Sequence, residues 1–212
     1  VTTHAETLRL TTSDGIELEA EAAVPDEPQA AVVLCHPHPL QGGSMRSLVT
    51  SELFTALPAA DVAVLRFNFR GVEGSGGEHG HGVGEQDDVV AALDAVGELV
   101  PGRPPVVAGW SFGADVSLAV TDDRIAGWFA IAPPLRVLPA EAFAAGPDPR
   151  PKLLAVPERD QFDPPPKARE RTAGWVDTRL EVVAGADHFL VGRTARVVEL
   201  LLGFLAELSA AR

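Results

Sequence analysis

Gly109-Trp110-Ser111-Phe112-Gly113 is the stretch of this chain with the clearest chemical potential. It matches G-x-S-x-G, follows the strand-like Pro105–Ala108 and precedes Ala114–Val120, which reads as a helix. In a strand–turn–helix setting this pattern builds a nucleophile elbow. The turn is so tight that side chains at 109 and 113 would strike neighbouring backbone, while Ser111 is left exposed at the carboxyl end of the strand. The helix that follows aims its N-terminal N–H groups at developing negative charge. A serine hydroxyl needs a base to remove its proton. His188, in Gly185-Ala186-Asp187-His188-Phe189, is the only histidine downstream. The third member should lie between them, since elbow enzymes run in the order Ser, Asp/Glu, His. Asp160 is the preferred acid, in the turn after the strand-like Leu153–Val156, with Glu158 and Asp163 as competitors.

An acyl-transfer site also needs two N–H donors for the oxyanion. Phe112, directly after the nucleophile, supplies one. The other is expected from His36-Pro37-His38-Pro39-Leu40-Gln41-Gly42-Gly43, which follows the strand-like Ala30–Cys35. Pro37 and Pro39 have no N–H to give, so His38 is the first candidate and Leu40 the second. The His36 side chain is expected to brace this loop. Leu40 and Trp110 are placed at the substrate, though Trp110 suits a core aromatic equally well.

These residues must be carried by a frame, and strand-like and helix-like segments alternate along the chain as in a sheet covered on both faces. Glu6–Thr12 and Glu17–Ala23 flank Ser13-Asp14-Gly15 and read as a hairpin. Ala30–Cys35, Val62–Phe67, Pro105–Gly109, Ile125–Ala132, Leu153–Val156 and Arg179–Val183 are apolar runs suited to buried parallel strands. Within Glu85–Val100, Val89, Leu93, Val96 and Val100 form one helical stripe. Val197, Leu201, Phe204, Leu205 and Leu208 form another. Gly71–Gly84 carries seven glycines and Pro133–Pro151 is rich in Pro and Ala, yet the alternation resumes after each. Residues 1–212 are therefore expected to form one domain.

Cys35-His36-Pro37-His38-Pro39-Leu40-Gln41-Gly42-Gly43-Ser44-Met45 comes first along the chain. Arg66-Phe67-Asn68-Phe69-Arg70-Gly71, with Gly74-Ser75-Gly76, comes next, and the elbow and the His188 segment follow. Together they resemble the small, cap-less α/β-hydrolases related to dienelactone hydrolases and prolyl-oligopeptidase catalytic domains. The resemblance runs from about residue 6 to the C-terminus. It implies an α/β-hydrolase fold with a mostly parallel eight-stranded sheet flanked by helices and no large cap domain. It also implies a triad of Ser111, Asp160 and His188, with His38 and Phe112 as oxyanion donors. Two features depart from it. Val156-Pro157 stands where many relatives have His-Gly, and dienelactone hydrolases proper use cysteine where this chain has Ser111.

The expected activity is hydrolysis of small carboxyl esters, with thioesters behind, and it needs no cofactor. An acyltransferase or lyase on the same scaffold, or a binding protein without turnover, is the alternative, because fold alone does not fix function. With 30 acidic residues against 17 Lys and Arg, the chain has a net charge of −13. That field repels phosphate backbones and anionic membranes, so neither nucleic acid nor a membrane is an expected partner. No apolar run reaches the roughly 18 residues of a membrane span, and residues 1–10 lack a signal-peptide pattern. A lone Cys35 fits a reducing cytoplasm. Self-association as a homo-oligomer is compatible with all of this. His79 and His81 lack the third ligand of a zinc site, so no metal is expected. His4 reads as tail surface.

Overall fold

The computed structural model describes residues 5–211, so His4 lies outside the described residues. β1 (Ala5–Thr11) and β2 (Glu17–Ala23) form an antiparallel hairpin. Its turn closes through Thr12 N–H to Ile16 O at 2.9 Å, with Gly15 at φ 82°. β3 (Ala30–Cys35), β4 (Val62–Phe67), β5 (Val106–Trp110), β6 (Gly127–Ile131), β7 (Lys152–Pro157) and β8 (Thr178–Val183) join it in one eight-stranded sheet. The strand order is β1-β2-β4-β3-β5-β6-β7-β8. β2 meets β4 antiparallel, and every pairing from β4 to β8 is parallel.

The helices are α1 (Leu48–Ala56), α2 (Glu85–Leu99), α3 (Phe112–Ala119), α4 (Pro165–Arg171) and α5 (Thr194–Ala210). They explain why the central strands are apolar without alternation, since a sheet covered on both faces has no wet side. Neighbouring residues on a strand point to opposite faces. Accordingly Val33, Leu65, Val107 and Trp128 share a core with Val89, Leu93 and Val96 of α2 and Leu118 of α3. Val32, Val64, Val106 and Phe129 face the other way, onto Leu53 of α1 and Val197, Leu201 and Phe204 of α5. Each such side chain contributes roughly 1.5–3 kcal/mol when fully buried. Cys35 ends β3 in the core on the α2 and α3 side, 2 % exposed, and burial pushes its thiol pKa up.

α1 and α4 are not among the helices expected from periodicity. α1 is short and buries Val49, Thr50, Leu53 and Phe54, so it offers no long stripe. α4 starts in Pro164-Pro165-Pro166, a run that reads as a breaker. Yet Pro164 caps it and the next two prolines fill its first turn, where no intrahelical N–H is needed. α3 begins two residues before the expected start, directly at Phe112.

The glycine-rich segment 71–84 is ordered without being regular. The buried Glu85 carboxylate accepts N–H bonds from Gly80 and Gly82, both at 2.8 Å. Arg70 fastens the start of the segment through Asp88 Oδ1 at 2.9 Å and Asp14 Oδ2 at 3.0 Å. Asn68 Oδ1 accepts from Met45 N–H at 2.8 Å. These ties hold the carboxyl ends of β3 and β4 in place, which is where the candidate site begins.

Candidate active site

Ser111 follows β5 with φ 55° and ψ −117°, a conformation that costs of the order of 1–3 kcal/mol for a residue with a side chain. The two glycines make the turn sterically allowed. A Cβ on Gly109 would lie 2.2 Å from Gly113 O, and one on Gly113 would lie 2.4 Å from Cys35 O. Ser111 N–H bonds Ile131 O at 2.9 Å, tying the elbow to the end of β6.

His188 enters from the loop after β8. Its Nε2 lies 2.8 Å from Ser111 Oγ and its Nδ1 lies 2.8 Å from Asp160 Oδ2. Asp160 is itself fixed, because its Oδ1 accepts from Phe162 N–H at 2.8 Å and Asp163 N–H at 3.2 Å. The other two carboxylates are engaged elsewhere. Glu158 accepts from Gly185 N–H at 2.7 Å, and buried Asp163 pairs with Arg171 at 3.1 Å, its carboxyl pKa raised by burial. The imidazole packs edge-on against Phe162 with centroids 4.4 Å apart, and its main-chain carbonyl accepts from the Trp110 indole at 3.2 Å. Trp110 is only 7 % exposed, as suits a core aromatic, and it also lines the cleft.

The cleft over Ser111 encloses about 450 Å³ and is lined by His38, Phe112, Trp110, Val137, Phe162 and Phe189, among others. Phe112 and His38 N–H have no hydrogen-bond acceptor among the described residues. The loop carrying His38 doubles back tightly, with Gln41 and Gly43 N–H both bonding His38 O at 3.0 Å. A Cβ on Gly43 would sit 2.2 Å from Pro37 O. His36 braces this loop from beneath. Its Nε2 accepts from Phe69 N–H at 3.0 Å and its Nδ1–H donates to Pro37 O at 2.6 Å. Burial pushes its pKa down to about 4.

Leu40 is a correction. Its N–H donates to His38 Nδ1 at 3.2 Å, so it is no free oxyanion donor. The Pro39–Gln41 turn also leaves its side chain 70 % exposed and outside the cleft lining. The His79 ring lies tilted beside His38, with centroids 5.3 Å apart, and His81 meets His79 edge-on at 4.8 Å. No group of three or more His, Cys, Asp or Glu among the described residues is arranged to hold a metal ion. Arg136, Val137 and Phe162 line the cleft without having been singled out from the sequence. Only their position in loops after β6 and β7, at the carboxyl edge where open α/β sheets bind ligands, could have pointed to them.

The model of the alpha/beta hydrolase family matches residues 32–162, from β3 through the elbow to the Asp160 turn. The chain belongs to the alpha/beta hydrolase family. An uncharacterized protein of Rickettsia prowazekii is 31 % identical over 185 residues, covering 82 % of this chain and 77 % of that one. An alpha-beta serine hydrolase homologue from Coxiella burnetii superposes with a TM-score of 0.82 at 32 % identity, over 97 % of this chain and 99 % of that one. A Xanthomonas campestris serine hydrolase described as lacking a lid gives 0.84 at 27 % identity, over 98 % and 96 %. As a member of this hydrolase family the chain has an eight-stranded, mostly parallel sheet and no large cap. Hydrolase is therefore its general class.

Proposed function

We propose that this hydrolase cleaves carboxyl esters, with thioesters as the next class, through an acyl-enzyme on Ser111. The observation that carries the proposal is the unbroken relay from Ser111 Oγ through His188 to Asp160, with 2.8 Å at each step, opening on the cleft. His188 Nε2 takes the Ser111 proton as Oγ attacks the carbonyl carbon. Asp160 holds the Nδ1–H tautomer and stabilises the imidazolium that forms. The acceptor-free N–H groups of Phe112 and His38 receive the oxyanion. His188 then protonates the leaving alkoxide or thiolate, activates a water, and returns the proton to Oγ as the acid departs.

The test is intact mass after treatment with a fluorophosphonate, beside turnover of an activated ester. One adduct per chain is expected on the wild type and none on Ser111→Ala. Asp160→Asn should keep the fold but lower kcat by on the order of 10⁴-fold, since the imidazole loses its preferred tautomer. Folded wild-type protein that takes no adduct would end the proposal.

A further inference from the structure

The acidic residues of this chain are absent from its cleft. Of 30 Asp and Glu, none lines it, and among the described residues Arg136 is the one lysine or arginine that does. Arg66, Arg70, Arg124 and Arg150 are each tied to a carboxylate. Arg136 pairs with none among the described residues. The residue is exposed, and its guanidinium lies 5.3 Å from the Phe162 ring centroid, on the ring that packs against His188. That places a cation one aromatic ring away from the base.

The backbone beneath this cation is held by unusual means. Asp115 follows Ser111 by one helical turn and is fully buried. Its Oδ1 accepts from Leu135 N–H, and its Oδ2 accepts from Arg136 and Val137 N–H, all at 2.9 Å. Arg171 donates to Leu135 O at 3.2 Å from the other side, and Leu135 is held at φ 49°. Burial pushes the Asp115 carboxyl up to about 6 even with three donors on it. A buried carboxylate and a strained residue both cost stability. Here both fix the segment that presents Arg136 to the nucleophile's own helix.

We propose that the substrates of this cleft carry an anionic group, a carboxylate or phosphate, which Arg136 binds while Ser111 attacks the acyl carbon. The proposal rests on the reading of Ser111 as nucleophile. It adds a charge requirement that a purely apolar ester site lacks.

Matched ester pairs test it. In one arm, mono-p-nitrophenyl adipate is compared with p-nitrophenyl hexanoate, which puts the charge on the acyl side. In the other, the hexanoate ester of 4-hydroxybenzoate is compared with that of 4-hydroxybenzamide, which puts it on the leaving group. The readout is the charged-to-neutral ratio of kcat/KM, corrected for spontaneous hydrolysis. A preference for the charged ester of about tenfold is expected in one arm, the worth of one contact of about 1.4 kcal/mol. Arg136→Gln should remove it and Arg136→Glu should invert it. Each ratio is internal to one protein, so partial loss of folding cancels. A wild type that prefers the neutral ester in both arms, or a ratio that Arg136→Gln leaves unmoved, overturns the proposal. If esters are cleaved and Ser111 is labelled, that failure leaves the esterase reading standing. Absence of both turnover and labelling removes the two together.

Discussion

His36 and His188 sit on neighbouring loops, and what faces their ring nitrogens gives them opposite duties. His188 has a hydroxyl on one nitrogen and a carboxylate on the other, the arrangement that its proposed role as base requires. His36 faces Phe69 N–H through Nε2 and Pro37 O through Nδ1, an arrangement only the neutral ring satisfies. Its pKa falls from an ordinary 6.5 to about 4. The unfolded chain therefore binds a proton below pH 6.5 that the native state refuses. The stability from neutral His36 is whole above pH 6.5 and drains away as pH falls towards 4, by about 3 kcal/mol in all. Urea unfolding of wild type and His36→Gln at pH 7 and pH 4.5 should show the gap between them narrowing at the lower pH. A gap of constant size would mean that folding does not lower the His36 pKa. At this scale the sequence was informative about Ser111 and His188, because motif and elimination pointed to one residue each. For the acid it favoured Asp160 but kept Glu158 and Asp163, within the same six positions, as competitors. Which of them meets the imidazole depends on the course of the turn after Pro157, where Glu158 is drawn to Gly185 and Asp163 to Arg171.

The elbow shows how an element can be built around missing side chains. Neither Gly109 nor Gly113 has room for a methyl group, and in both cases the obstacle is backbone that cannot rotate away. Gly109→Ala or Gly113→Ala should each cost upwards of about 3 kcal/mol, at the severe end for a single substitution. Gly97 in α2 and Gly203 in α5 are exposed, and a Cβ on either would meet nothing within 4 Å. Alanine there should stabilise by roughly 0.5–1 kcal/mol through helix propensity. Thermal denaturation of the four variants should divide them into two falling and two rising melting temperatures. An elbow variant that melts with the wild type would mean the turn is laxer than its geometry implies. Elements with a long stripe or a buried apolar run, such as α2, α5 and the six central strands, were legible in the sequence. α1 and α4 were not. The first is short and apolar on most sides, and the second hides its start in three prolines. Arg136 escaped for a related reason, since no periodicity marks the segment 132–151 and only the tertiary clamp by Asp115 gives its position meaning.

At the scale of the molecule, the site occupies the carboxyl edge of the sheet, where loops from β3, β5, β6, β7 and β8 converge. The segment between β6 and β7 contains only one 3₁₀ turn, Ala140–Ala142, and is too short to fold over the cleft as a separate cap. An enzyme without a lid has no closed state to be released from. On the proposed esterase reading, the rate on a short-chain ester should therefore follow one smooth saturation curve up to the solubility limit and show no upward break beyond it. A sharp jump at that limit would reveal a gate that this fold does not show. The sheet also encloses the only thiol of the chain at the end of β3, between β4 and β5 and against the elbow. A thiol reagent can reach Cys35 only when the centre of that sheet comes apart. In excess reagent, its modification thus counts openings, and the protein carries its own clock for how long a native molecule survives.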